Sequence, residues 1–179
     1  MTQTAKYYGD ALYELARDEH LDTSILEQMT AVSTAFRTEP DYLKLLASPS
    51  ISKQERCRVL KSDFAALLQP YFLNFLMLLT ERGAIREYFD CCEEYRKRYN
   101  QDHGILEVKA LTAIPLSEAL TRKLTAKLSA VTGKTIALSN YVDDSVLGGV
   151  RLEMDGTQLD GTIRRKLDEI RENLNSTVL

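Results

Sequence analysis

Apolar and polar residues alternate along this chain with two different periods, and the change of period divides it. From Thr4 to His20 the apolar positions Tyr8, Ala11, Leu12, Leu15 and Ala16 recur at helical spacing, with Asp10, Glu14 and Arg17 between them, which predicts an amphipathic helix. A second helix is expected after Asp22, with Ile25, Met29, Val32 and Phe36 as its stripe. Glu39-Pro40-Asp41 punctuates the chain and opens a short helix through Leu46. After the break Leu46-Ala47-Ser48-Pro49-Ser50-Ile51, the run Ser52-Lys53-Gln54-Glu55 has the form of a capping box. Gln69-Pro70 starts the next helix, with Pro at a tolerated first-turn position. Here Phe72, Leu73, Phe75, Leu76, Met77, Leu78 and Leu79 cover more than one face. Such a helix is either fully buried or partly buried with a partner covering the remainder, and the pattern leaves both open. Gly83 ends it. Ala84 to Gln101 predicts another helix, whose charges Arg86, Glu87, Glu93, Glu94, Arg96, Lys97 and Arg98 are expected to form a solvated face.

Asn100-Gln101-Asp102-His103-Gly104 is polar and breaks the helical pattern, which makes it the expected domain boundary. Beyond it Leu106, Val108 and Ala110 alternate with Glu107 and Lys109, so Ile105 to Ala113 reads as a strand. Ser117 caps a helix carrying Leu120, Leu124, Leu128 and Val131, with Gly133 as its left-handed end residue. A second strand is expected around Thr135-Ile136-Ala137-Leu138. Val150, Leu152 and Met154 alternate with Arg151 and Glu153, and Asp155-Gly156 suits a tight hairpin turn that returns Thr157 to Leu159 antiparallel. Gly148-Gly149 suggests a bulge or close backbone approach. Asp160-Gly161-Thr162 then starts a helix with Ile163, Leu167, Ile170 and Leu174 on one face. The expected fold class is therefore α+β in two domains: an all-α bundle over residues 1–103, followed by a small α+β domain over 104–179 in the order strand, helix, strand, strand, strand, helix.

Composition narrows the function. The chain has 179 residues, 44% apolar and 27% charged, with net charge −3 and a pI near 5.5. That acidity argues against a nucleic-acid binder. The three cysteines, Cys57, Cys91 and Cys92, form no metal spacing, and their odd number suggests reduced thiols. Met1-Thr2-Gln3-Thr4 carries no apolar leader, and the apolar run Tyr71 to Leu79 is too short to span a bilayer. A soluble chain in the cytoplasm is expected, with no metal or cofactor.

Little in the sequence suggests catalysis. Gly133-Lys134-Thr135 has the ending of a phosphate-binding loop, but the first glycine of that loop falls at Leu128 and the order is helix then strand. A phosphate cradle requires the reverse order, strand then helix, so that amides and dipole face the anion. A small nucleotide-dependent regulator built on this triplet stands as the alternative function, with a helical adaptor of another assembly as a third. His20 and His103 sit at predicted helix ends, where a cation favours the dipole. Asp143, Asp144 and Asp160 are explained as turn and cap residues.

The last quarter of the chain resembles the carboxy-terminal signature of the delta subunit of F-type ATP synthases, relatives of the mitochondrial oligomycin-sensitivity-conferring protein. Val142-Asp143, Ser145, Leu147-Gly148-Gly149-Val150, Leu159-Asp160-Gly161, Arg164 and Leu167 follow that pattern, with Thr162 where Ser is usual and Arg165 where a small residue is common. The first helix is similar to the family's in Tyr8, Ala11-Leu12-Tyr13 and Leu15-Ala16, with Gly9 replacing a helix-favouring Ala. In an exposed helix interior that change costs about 1 kcal/mol. Leu46-Ala47-Ser48-Pro49 and Ile114-Pro115-Leu116-Ser117 also resemble family segments, whereas Glu81-Arg82-Gly83-Ala84 lacks the usual Arg after Gly.

The resemblance implies a non-catalytic stator subunit on the cytoplasmic face of a bacterial membrane, touching the membrane only through the complex. Its implied partners are the amino-terminal helices of the alpha subunits and the distal coiled coil of the b subunits. The residues expected to meet the alpha subunit are Tyr8, Ala11, Leu12, Leu15, Phe72, Phe75, Leu76 and Leu79. Arg164, Arg165 and Lys166 are three cations in the first turn of a predicted helix, where they oppose the macrodipole by roughly 0.3–1 kcal/mol each. They are either offset by Asp160, Asp168 and Glu169 on a solvated surface or dock an acidic b-subunit helix.

Overall fold

The computed structural model describes residues 2–144, 146, 148–154 and 156–161. The chain divides into two compact units, Met1–Tyr99 and Asn100–Leu179, so the division falls within the last turn of a helix rather than after it.

The first unit is helical: α1 (Gln3–Asp18), α2 (Asp22–Thr38), α3 (Pro40–Leu46), α4 (Lys53–Phe64), α5 (Pro70–Glu81), a single 3₁₀ turn at Ile85–Glu87, and α6 (Tyr88–Asp102). The single helix expected from Ala84 is thus a 3₁₀ turn followed by α6. Its starts follow local chemistry. The Thr2 side chain accepts from the Ala5 amide at 3.1 Å, and Ser52 accepts from the Glu55 amide at 3.2 Å while its hydroxyl donates to the Glu55 carboxylate. Pro40 and Pro70 occupy the first turns of α3 and α5. Each of these satisfies, or does without, an amide that lacks a helical partner.

The stripe predicted for α2 forms the core, whereas of that predicted for α1 only Leu12 and Ala16 do, joined by Tyr13; Tyr8 is half-buried and Ala11 and Leu15 are exposed. Leu12, Tyr13, Ala16, Ile25, Met29, Val32 and Phe36 pack with Phe72, Leu76, Leu79, Tyr88, Cys91 and Tyr95. Buried phenols keep their hydroxyls bonded: Tyr88 donates to the Met29 carbonyl and Tyr95 to that of Asp22, both at 2.9 Å, because an unmatched buried donor is costly. Two expectations are corrected here. Glu94 does not belong to a solvated face; it is 3% exposed, buried beside Gly9. Gly9 itself is buried, so the cost assigned to an exposed glycine does not apply.

The second unit contains β1 (Ile105–Thr112), α7 (Glu118–Thr132), β2 (Thr135–Val142), β3 (Val150–Met154) and β4 (Thr157–Asp160). The sheet order is β2-β1-β3-β4. β1 and β2 are parallel, with Ile105 opposite Thr135, which requires the crossover that α7 supplies. β1–β3 and β3–β4 are antiparallel, with Ala110 opposite Leu152 and Leu152 opposite Leu159. Val108, Ala110, Ile136 and Leu152 form a small core onto which Leu116, Leu124 and Leu128 pack. Asp155 of the expected hairpin turn, and the whole predicted helix from Thr162 onward, lie outside the described residues.

A candidate docking groove on the helical unit

One face of α1 and one face of α5 line an open, mostly apolar groove of about 270 Å³, formed by Tyr8, Ala11, Leu12, Leu15, Tyr71, Asn74, Phe75 and Leu78. On each helix these residues recur at i, i+3, i+4 and i+7, the spacing of a single helical face. Leu12 and Phe75 are buried and form its floor; Leu15 is 40% and Leu78 37% exposed and form its walls.

Of the residues expected to meet a partner, Tyr8, Ala11, Leu12, Leu15 and Phe75 come together here. Phe72, Leu76 and Leu79 do not. All three are 0% exposed in the bundle core, so no partner can reach them, and Tyr71, Asn74 and Leu78 stand in their place. The expected stripe was one residue out of phase, because α5 is apolar on nearly every side and periodicity alone cannot select which face is free. Asn74, the one polar side chain between Tyr71 and Leu79, marks the free face.

The groove rests on a braced scaffold. Arg98 of α6 holds Asp10 at 2.9 Å and reaches Glu14 at 3.8 Å. Tyr13 and Tyr95 meet edge to face with centroids 5.3 Å apart, a favoured aromatic geometry. At the start of α5 the Gln69 amide donates to the Gln28 side chain at 2.9 Å. A helix laid in this groove would meet leucine and aromatic side chains fixed from behind.

A second open cavity, of about 470 Å³, lies over α2–α4 around Phe36, Tyr42 and Phe64, with Glu39 and Asp63 at its rim. Burial, together with donation to Asp63 at 2.9 Å, pushes the Tyr42 phenol well above its ordinary range. Two of the three cysteines are shielded by their environment. Cys91 and Cys92 are buried, and burial raises the Cys91 thiol from 9.0 to about 12.

The nucleotide alternative finds no geometry to support it. Gly133 takes the left-handed conformation (φ 68°) that ends α7, its amide donates to Ser129 at 2.8 Å, and Thr135 opens β2. The Ser129 hydroxyl donates to the Lys134 carbonyl at 2.8 Å. The triplet is a helix stop, not a helix N-terminus facing phosphate. Among the described residues there is no cluster able to hold a metal ion and no helix long and apolar enough to cross a membrane. Arg164, Arg165 and Lys166 lie outside the described residues.

The family model for the ATP synthase delta (OSCP) subunit matches residues 4–174. The chain belongs to that family. The ATP synthase subunit delta of Clostridioides difficile is 30% identical over 97% of both chains, and that of Geobacillus sp. is 33% identical over 95% of this chain and 96% of its own. The fold is shared with a chain of the Toxoplasma gondii mitochondrial ATP synthase hexamer, at a TM-score of 0.76 and 18% identity, covering 97% of this chain and 98% of that one. As a delta subunit the chain is a structural component of the peripheral stalk of an F-type ATP synthase, and it is not catalytic by itself.

Proposed function

We propose that the delta subunit binds the amino-terminal helix of an alpha subunit in the α1–α5 groove and carries the b-subunit stalk on its carboxy-terminal unit. It thereby holds the catalytic head against the torque of the rotor at the cytoplasmic face of a bacterial membrane. The observation that supports the first contact is the pairing of two i, i+3, i+4, i+7 faces around one apolar groove, the form that receives the apolar face of an amphipathic helix. The stalk contact rests on family membership and on the cations Arg164, Arg165 and Lys166, suited to an acidic partner.

The test is calorimetric titration of the full chain with a peptide of the alpha-subunit amino terminus from the same ATP synthase. Saturable binding that is weakened by Leu15→Asp or Leu78→Asp, and kept by Arg165→Glu, is expected. Binding indifferent to both groove substitutions would place the alpha contact elsewhere.

A further inference from the structure

The carboxy-terminal unit has an apolar ridge of its own. Leu116, just before α7, and Leu120 and Leu124 in its first turns follow one another at four-residue spacing, and with Val150, Lys123 and Lys127 they line a groove of about 210 Å³. Leu120 is 55% exposed although it lies between two leucines that pack on the sheet. The ridge is held rigidly at its beginning. The Leu116 amide donates to the Asn140 side chain at 2.8 Å, and the same Asn140 amide group donates to Thr112 Oγ1 at 2.8 Å and to the Ala110 carbonyl at 3.0 Å. The one acidic side chain of α7, Glu118, accepts from Arg122 at 3.2 Å. Lys123 and Lys127 make no ion pair with any described residue.

We infer that this ridge docks an amphipathic helix whose apolar stripe is flanked by carboxylates, contributed by another subunit. Charge selects among the possible occupants. A second copy of this chain, seated symmetrically, would set Lys123 and Lys127 against their own counterparts, since a two-fold contact pairs like surfaces. The chain's own residues 162–179 match no better. That segment sets four cations, Arg164, Arg165, Lys166 and Arg171, against three carboxylates, Asp168, Glu169 and Glu172, and so brings no acidic excess to the lysines. An acidic partner pairs both lysines at the rim, where they govern association rate, register and salt dependence, while Leu120 supplies the apolar anchor.

This inference rests on the stalk contact proposed for the carboxy-terminal unit and assigns that contact to particular residues. The probe is the soluble portion of the b subunit from the same ATP synthase, titrated into the full chain. Leu120→Asp is expected to weaken binding about tenfold or more, and the Lys123→Glu, Lys127→Glu double variant to flatten the salt dependence. Val131→Asp, at an 85% exposed α7 position outside the groove, should change nothing. Zero-length carbodiimide coupling of the complex should join Lys123 or Lys127 to an Asp or Glu of the b subunit. Coupling to Asp168, Glu169 or Glu172 of the same chain, coupling between two copies, or no coupling at all would overturn the assignment. If the unaltered chain binds no b subunit, the stalk reading itself fails. If it binds and all the α7 variants bind equally well, the reading stands and the ridge is not its site.

Discussion

Gly9 of α1 lies so close to the backbone of Cys91 in α6 that a Cβ on Gly9 would stand 2.7 Å from the Cys91 carbonyl oxygen and 2.9 Å from the Glu94 Cβ. Both neighbours belong to the body of a helix, not to the end of a flexible side chain. Gly9→Ala would gain about 1 kcal/mol in helix propensity, but relieving the clash requires the helices to separate, at about 1–3 kcal/mol for overpacking. Net destabilisation in urea unfolding is therefore expected. A Gly9→Ala chain more stable than the original would show that the two helices part at little cost.

The two sides of α5 should respond differently to the same substitution. Leu78→Asp, at a 37% exposed groove wall, is expected to leave the melting temperature nearly unchanged and to weaken alpha-subunit peptide binding. Leu76→Asp places an unpaired charge among fully buried side chains and should destabilise by at least about 3 kcal/mol. Equal loss of stability in both variants would make the groove wall part of the core.

The thiols predict the alkaline limit. Burial holds the Cys91 thiol protonated to about 12, against 9.0 when exposed. Between these values the unfolded chain has lost a proton that the folded chain keeps. The contribution of Cys91 is thus fully present below pH 9 and is lost as pH rises towards 12, at up to about 1.4 kcal/mol per pH unit. Cys91→Ala should flatten the fall of stability over that window, whatever its effect at pH 7. An unchanged slope would mean that Cys91 does not set it. Thiol labelling of the native chain at pH 8 should reach Cys57, the half-buried one, before Cys91 and Cys92.

Because Gly133 ends a helix and the amides around it are used within the fold, millimolar Mg-ATP should leave the melting temperature where it is, with or without Lys134→Ala. A ligand at 100 times its dissociation constant would stabilise the native state by about 2.7 kcal/mol, a shift that a thermal scan resolves. Such a shift, abolished by Lys134→Ala, would restore the phosphate site.

Local chemistry and periodicity by themselves determined the elements of this protein. Thr2, Ser52 and Ser117 act on amides within three residues, prolines at 40 and 70 need no amide, and the change of period near residue 104 reports the replacement of a helical face by alternating strand faces. These interactions close within one or two turns of chain, so a linear reading reaches them. The signature around Gly148-Gly149 and Leu159-Asp160-Gly161 was equally local and carried the family. What only the tertiary structure decided was which surface faces which. The run Phe72–Leu79, apolar but for Asn74, has no preferred phase until α4, α1 and the 3₁₀ turn pack on it, leaving Tyr71, Asn74 and Leu78 for the groove. Glu94 is of a residue type expected at the surface, yet it is buried beside Gly9 of α1. Gly9 reads as a weak point of a helix until Cys91, over eighty residues away, makes it the only residue that fits, because steric exclusion between distant backbones leaves no trace in the spacing of either segment.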